Sequence, residues 1–243
     1  MLLVGLDAAS DPRKFGLVLC LWSGANLSLM AAGTLGDAAL RTRLADELRV
    51  AERALLAVDA PLGWPAALAA ALATHRAGEA IQASQNALFR RATDIAVLAT
   101  TGKLPLEVGA DRIARAAWQA LNVLGQLRVA TGQPIPLAWA PDFTDRIAAI
   151  EVYPGALLKA TGGNPSGYKE QIEGRAARGS IAQRFAADAP WLADLLDAQT
   201  DVFDAALCVL AGLDFLRGNA EPPTDRALAE KEGWAWVRRS NQR

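Results

Sequence analysis

Histidine is almost missing from this chain: a single one, His75, stands among 243 residues. Serine-histidine or cysteine-histidine catalysis would rest on it alone, and it falls in the polar exit of an alanine-rich segment, where solvation accounts for it. Cysteine is nearly as scarce. Cys20 and Cys208 lie far apart, each inside an apolar run, which predicts buried reduced thiols and no disulfide or reactive pair. One histidine and two distant cysteines also fail to supply the nitrogen and sulfur ligands that zinc prefers. A charge excess is missing as well. The formal net charge of −1 excludes a broadly basic protein and gives no nucleic-acid signal, although a local basic patch would still grip a polyanion. The longest candidate span, Phe15 to Trp22, is far short of the ~20 apolar residues that cross a bilayer. No basic leader or small-residue cleavage site precedes the first strand, so the expectation is a soluble, cytoplasmic protein without a membrane partner. No sequence feature sets an oligomeric state.

What is present is apolar and alanine-rich: 52% of residues are hydrophobic and only 6% aromatic, a balance that favours many helices. The pattern predicts one α/β core with an inserted helical part. Leu2–Leu6, Phe15–Trp22 and Leu27–Gly33 read as strands with short connections, hence an antiparallel meander. Leu40, Leu44 and Leu48 recur at helical spacing between Asp37 and Ala51, and a fourth strand, Ala54 to Val58, follows. A strand-helix-strand crossover is parallel and right-handed, and if it places the fourth strand beside the first, Asp7 and Asp59 lie at adjacent carboxyl ends. From about 65 to 131 the chain reads as helical. Arg146 to Val152 is a fifth strand candidate, followed by Pro154 in the first turn of a helix. Tyr168 to Arg184 reads as short exposed helices or a flap, a long helix is predicted from Trp191 to Leu216, and Gly233 to Val237 is a candidate short edge strand.

The residues that stand out are acids at strand ends. Asp7 closes the first strand and Asp59 the fourth, and a charge directly after a buried strand is expensive unless it is paired or holds a metal. Glu151 sits near the end of the fifth strand, its reading divided between a role at the site and capping of the Pro154 helix. On the last long helix Asp197, Asp201, Asp204 and Cys208 form one stripe, and Asp204 stands where that stripe becomes apolar. Asp7, Asp59 and Asp204, with Asp201 one turn earlier, thus form a candidate site for Mg²⁺ or Mn²⁺, which prefer oxygen ligands. Two ions ~4 Å apart would activate water in phosphodiester hydrolysis without any histidine. Each acid also has a plain structural alternative: Asp7 and Asp59 as loop caps, Asp204 as an arginine's partner.

Two further stretches bear on substrate. Trp64, in the turn after Asp59, would stack on a base or simply cover the core. Arg90, Arg91 and Asp94 would clamp a phosphate if their segment folds over the sheet ends, and otherwise form a charged helix surface. The glycine pairs near 162 and 174 lack the strand-loop-helix setting of a phosphate-binding loop.

Five segments together, Val4 to Ala9, Val58 to Pro65, Arg90 to Asp94, Glu151 to Gly155 and Asp201 to Ala206, are similar to those of a known family. The chain resembles the predicted nucleases of ribonuclease-H-like fold, long described as a domain of unknown function. That resemblance implies a mixed five-stranded sheet in the order 3-2-1-4-5, with Asp7 on the central strand, Asp59 on the fourth and Asp204 on the closing helix. Metal-dependent cleavage of nucleic acid or a small phosphoester is the leading expectation. The alternatives are a non-catalytic module that binds a nucleotide or protein, and a phosphotransferase of the sugar kinase type. Aspartate at position 59, where many relatives in that superfamily carry glutamate, and the near-zero net charge depart from the pattern of a duplex-cleaving enzyme.

Overall fold

The computed structural model describes residues 1–243 apart from 110, 165, 171–173 and 240–243. Its centre is a mixed sheet of β1 (Leu2–Asp7), β2 (Gly16–Trp22), β3 (Leu27–Thr34), β4 (Ala54–Asp59), β5 (Ile147–Val152) and β6 (Ala235–Trp236). The strand order is β3-β2-β1-β4-β5-β6. β1, β2 and β3 pair antiparallel as the short turns require, whereas β1, β4, β5 and β6 are parallel. The expected order of the first five strands is present, and the short C-terminal edge strand extends it.

Both faces of the sheet are covered, which is why β1 and β4 are apolar at almost every position. Leu2, Val4, Leu6, Leu56 and Val58 pack on α1 (Ala38–Val50) through Leu40, Leu44 and Leu48, and on α5 (Asp111–Thr131). The Asp37 side chain starts α1 by accepting from the amides of Ala39 and Leu40. On the other face Leu3, Leu55 and Ala57 pack against α8 (Thr200–Leu216). Between β4 and β5 the expected helical insertion consists of α2 (Ala66–Leu72), α3 (Gln85–Phe89), α4 (Ala92–Thr101) and α5.

α8 lies almost in contact with the backbone of the sheet. A Cβ built on Gly5 would stand 1.9 Å from the Ala205 carbonyl oxygen, and one on Gly16 would stand 1.8 Å from that of Asp201. Only glycine admits this approach, and the approach is what carries Asp204 to the strand ends. Gly5→Ala must push the helix back, and overpacking of this kind is expected to lower stability by about 1–3 kcal/mol in urea denaturation.

Two expectations are corrected. The predicted long helix is a 3₁₀ segment, Pro190–Leu195, followed by a separate α8. The Arg178 guanidinium takes the Leu196 and Ala198 carbonyls as acceptors, so they do not continue a helix. Asp197 therefore leaves the acidic stripe and pairs at the surface with Arg175. The polar stretch from Tyr168 is also less exposed than its composition implies: Tyr168 and Arg178, the latter on α7 (Gly174–Arg184), are buried. Residues 171–173 of that stretch lie outside the described residues.

Candidate active site

In the parallel pair of β1 and β4, Asp7 stands directly opposite Asp59. Because side chains alternate along a strand, both share the face of Leu3 and Ala57, the face covered by α8. Asp204 enters from that helix at 0% exposure. Its Oδ1 accepts from the Tyr168 hydroxyl at 2.7 Å and its Oδ2 from the Lys169 ammonium at 2.5 Å. Arg178 fixes this turn in place: its Nε donates to the Tyr168 carbonyl and its terminal nitrogens reach the Thr200 hydroxyl and the two carbonyls that precede α8. A cavity of about 410 Å³ opens over the strand ends, with Asp7, Asp59, Asp201, Tyr153, Lys169 and Ile113 in its wall.

Glu151 also borders the cavity, but its carboxylate is committed to other partners. It pairs in register with Val58, one position short of Asp59, and so points to the opposite face from Asp7 and Asp59. There its carboxylate accepts from the Leu62 amide and, through both oxygens, from Arg91. Arg91 makes five side-chain contacts: two to Glu151, two to Asp94 and one to the Glu232 carbonyl. A guanidinium has five N–H donors, so none is left for a ligand.

The phosphate clamp expected of Arg90, Arg91 and Asp94 is therefore corrected. These residues tie the insertion to the sheet. Arg90 donates to the Pro105 carbonyl and pairs with Glu107, and the Asp94 side chain also accepts from the Arg91 amide at the start of α4. Glu232, on α9 (Arg226–Glu232), completes the joint by accepting from the amides of Ala66 and Ala92. Gly63 packs so closely against the Glu232 backbone that a Cβ there would stand 2.6 Å from its carbonyl carbon. Trp64 is half-buried and lies outside the cavity wall.

A family model described as "Protein of unknown function (DUF429)" matches residues 5–228, a span that includes Asp7, Asp59, Arg91, Glu151, Lys169, Asp201 and Asp204. The chain belongs to this family. No curated protein and no solved structure matches it.

In this DUF429 chain both carboxyls of the strand-end pair are shifted upward. Burial raises the Asp7 pKa well above the usual carboxylate range, and the charges of Asp204 and Asp59 raise it further. Asp59 is pushed up to about 7, first by burial, then by Asp204, with Glu151 adding to it, while Lys169 and a hydrogen bond with Asp7 oppose the shift. Asp201 is raised by burial and Asp204. The Tyr153 hydroxyl, pushed up to about 12 by burial and by Asp59, stays protonated at neutral pH. Burial alone would lower the Lys169 pKa, but Asp204 raises it overall, so the ammonium keeps its charge.

The donors around the cavity are carboxylate oxygens, the set that suits a hard divalent cation. Their side chains do not yet close around one. Among the described residues, no group of three His, Cys, Asp or Glu stands in place to hold a metal ion. Asp204 has given both oxygens to Tyr168 and Lys169. The sequence reading missed Lys169 and Arg178, whose only signal was their place in a polar stretch. Among the described residues no helix is long and apolar enough to cross a membrane.

Proposed function

We propose that this chain is a divalent-cation-dependent phosphodiester hydrolase whose reaction takes place in the cavity over the ends of β1 and β4. One observation carries the reading: Asp7 and Asp59 face each other in register at the cavity, where burial and neighbouring carboxylates raise both above the usual carboxylate range. A protein keeps such a repulsive pair at a stability cost, and uncompensated acids of this kind mark functional sites. The residues fit Mg²⁺ or Mn²⁺ by donor chemistry: Asp7 and Asp59 would hold the ion, and Asp204 or Asp201 would complete the set. Bound there, the cation would supply Lewis acidity to a phosphoryl oxygen.

The chain's own groups do the rest. The protonated Tyr153 hydroxyl offers a hydrogen bond in the cavity wall. Leu106, Ile113 and Ala116 give the cavity an apolar side facing the carboxylates. The Arg91–Glu151 pair holds the Leu62 turn, and with it the wall after Asp59.

Calorimetry with Mn²⁺ in the millimolar range and hydrolysis of bis(p-nitrophenyl) phosphate test the reading together. The native chain should bind the ion and turn over the ester, and Asp7→Asn should lose about a hundredfold or more in rate with its metal binding. Hydrolysis that persists undiminished in Asp7→Asn would refute the assignment. A non-catalytic ligand-binding module is the second reading, favoured by the satisfaction of both Asp204 oxygens from within the chain. Failure of Mn²⁺ to bind the native chain decides for it.

A further inference from the structure

Lys169 stands between a buried carboxylate and the open cavity. Its ammonium pairs with fully buried Asp204, yet the side chain itself is 58% exposed and lines the cavity that Asp7 and Asp59 also face. The other cationic side chain in that wall, Arg91, has committed all five donors to protein acceptors. Among the described residues of the cavity wall, Lys169 is thus the one cation able to turn toward a ligand. An ammonium has three donors on a flexible stem, and one bond to Asp204 leaves the others available.

We infer that Lys169 is the anion-binding residue of this site: it serves as the resting counter-charge of Asp204 and transfers to the phosphoryl group of a compact phosphodiester when a divalent cation takes over the carboxylates. The inference rests on the metal-dependent reading above and adds the substrate class to it. The backbone of a nucleic-acid duplex presents phosphates in series, and proteins that hold it neutralise several at once. Here the wall offers one transferable positive charge in about 410 Å³, beside the apolar side chains of Pro61, Leu106, Ile113 and Ala116. That combination fits one phosphoryl group with a small apolar flank.

The transfer has a thermodynamic signature independent of turnover. While Lys169 neutralises Asp204 it competes with any cation for the same oxygens, so its removal should strengthen metal binding and weaken anion binding. A residue that only braced the fold would move both in the same direction.

The experiment measures two affinities by calorimetry, for Mn²⁺ alone and for inorganic phosphate at saturating Mn²⁺, in the native chain, Lys169→Met and Lys169→Arg. Thermal unfolding confirms that each variant is folded. Lys169→Met should bind Mn²⁺ about fivefold or more tightly than the native chain and lose about tenfold or more in phosphate affinity. Lys169→Arg should keep phosphate binding. If Lys169→Met binds Mn²⁺ no better than the native chain, or binds phosphate equally well, the transfer is overturned while the metal site stands. If no form binds Mn²⁺, the metal site and the transfer fall together.

Discussion

Arg91→Met should destabilise the protein by about 3–5 kcal/mol, the range found when one partner of a buried ion pair is removed. Arg91 is 2% exposed, and the carboxylates it serves, Glu151 and Asp94, are 4% and 1% exposed. Methionine fills much of the same volume but leaves two buried carboxylates facing each other without a cation. The loss is expected to exceed that of a surface arginine severalfold, because exposed pairs contribute about 0–1 kcal/mol. Urea denaturation at pH 7 reads the effect as a shift in midpoint. A triple variant, Arg91→Met with Glu151→Gln and Asp94→Asn, should recover part of it, since neutral amides lower the penalty of the missing charge. Native stability in Arg91→Met, with a defect only in ligand binding, would instead make Arg91 a ligand-facing residue.

The reason Arg91 is misread from sequence is instructive. Two adjacent arginines next to an acid look like a clamp when the partners are unknown, and those partners, Glu151 and Glu232, are 60 and 141 positions away. No local pattern carries such a pairing. The strand-end aspartates are different. Their position after apolar runs is local, and the crossover through α1 makes β4 parallel to β1, but that β4 lies beside β1 and so sets Asp59 against Asp7 is what the fold adds. Glu151 shows where that logic stops. Proximity to a strand end suggests a third acid beside the pair, and Glu151 does border the same cavity, but one residue of register turns its carboxylate to Arg91 and the Leu62 amide.

α8 divides along the same line. Its apolar run announces a buried helix, and Asp204 within that run stands out as an anomaly. The start of the helix was not legible, because it is fixed by Arg178, which captures carbonyls that a continuous helix from Trp191 would have used. The closeness of α8 to the sheet is legible only in hindsight from Gly5 and Gly16, whose missing side chains make room for helix carbonyls. Lys169 was hidden for a further reason. A lone lysine in a polar stretch ordinarily means solvent, and only the fold reveals a buried carboxylate beneath it.

Stability should fall as pH rises from about 4 to about 7 in the absence of divalent ions, and Asp59→Asn should remove much of that fall. Folded Asp59 holds its proton until about pH 7, whereas an unfolded aspartate releases it near the ordinary value of 3.8. Between those values the native state binds more protons than the unfolded state, so each step up in pH favours unfolding. Asp7 is shifted in the same direction, and its charge adds to the effect. Allowing for the partial opening of the pair to the cavity, the Asp59 contribution should be about 2–4 kcal/mol between pH 4 and pH 8. Urea denaturation in EDTA at both pH values measures it. Asparagine keeps the shape and removes the charge, so the variant should match the native chain at pH 4 and exceed its stability at pH 8. Parallel pH profiles for the two proteins would mean that folding does not raise the Asp59 carboxyl. At pH 8, Mn²⁺ in place of EDTA should raise the native chain toward the variant, because an ion held only by the folded state stabilises it in proportion to the logarithm of its concentration. The same ion should do little for Asp59→Asn, which ties the instability of the native pair to its ability to hold a cation.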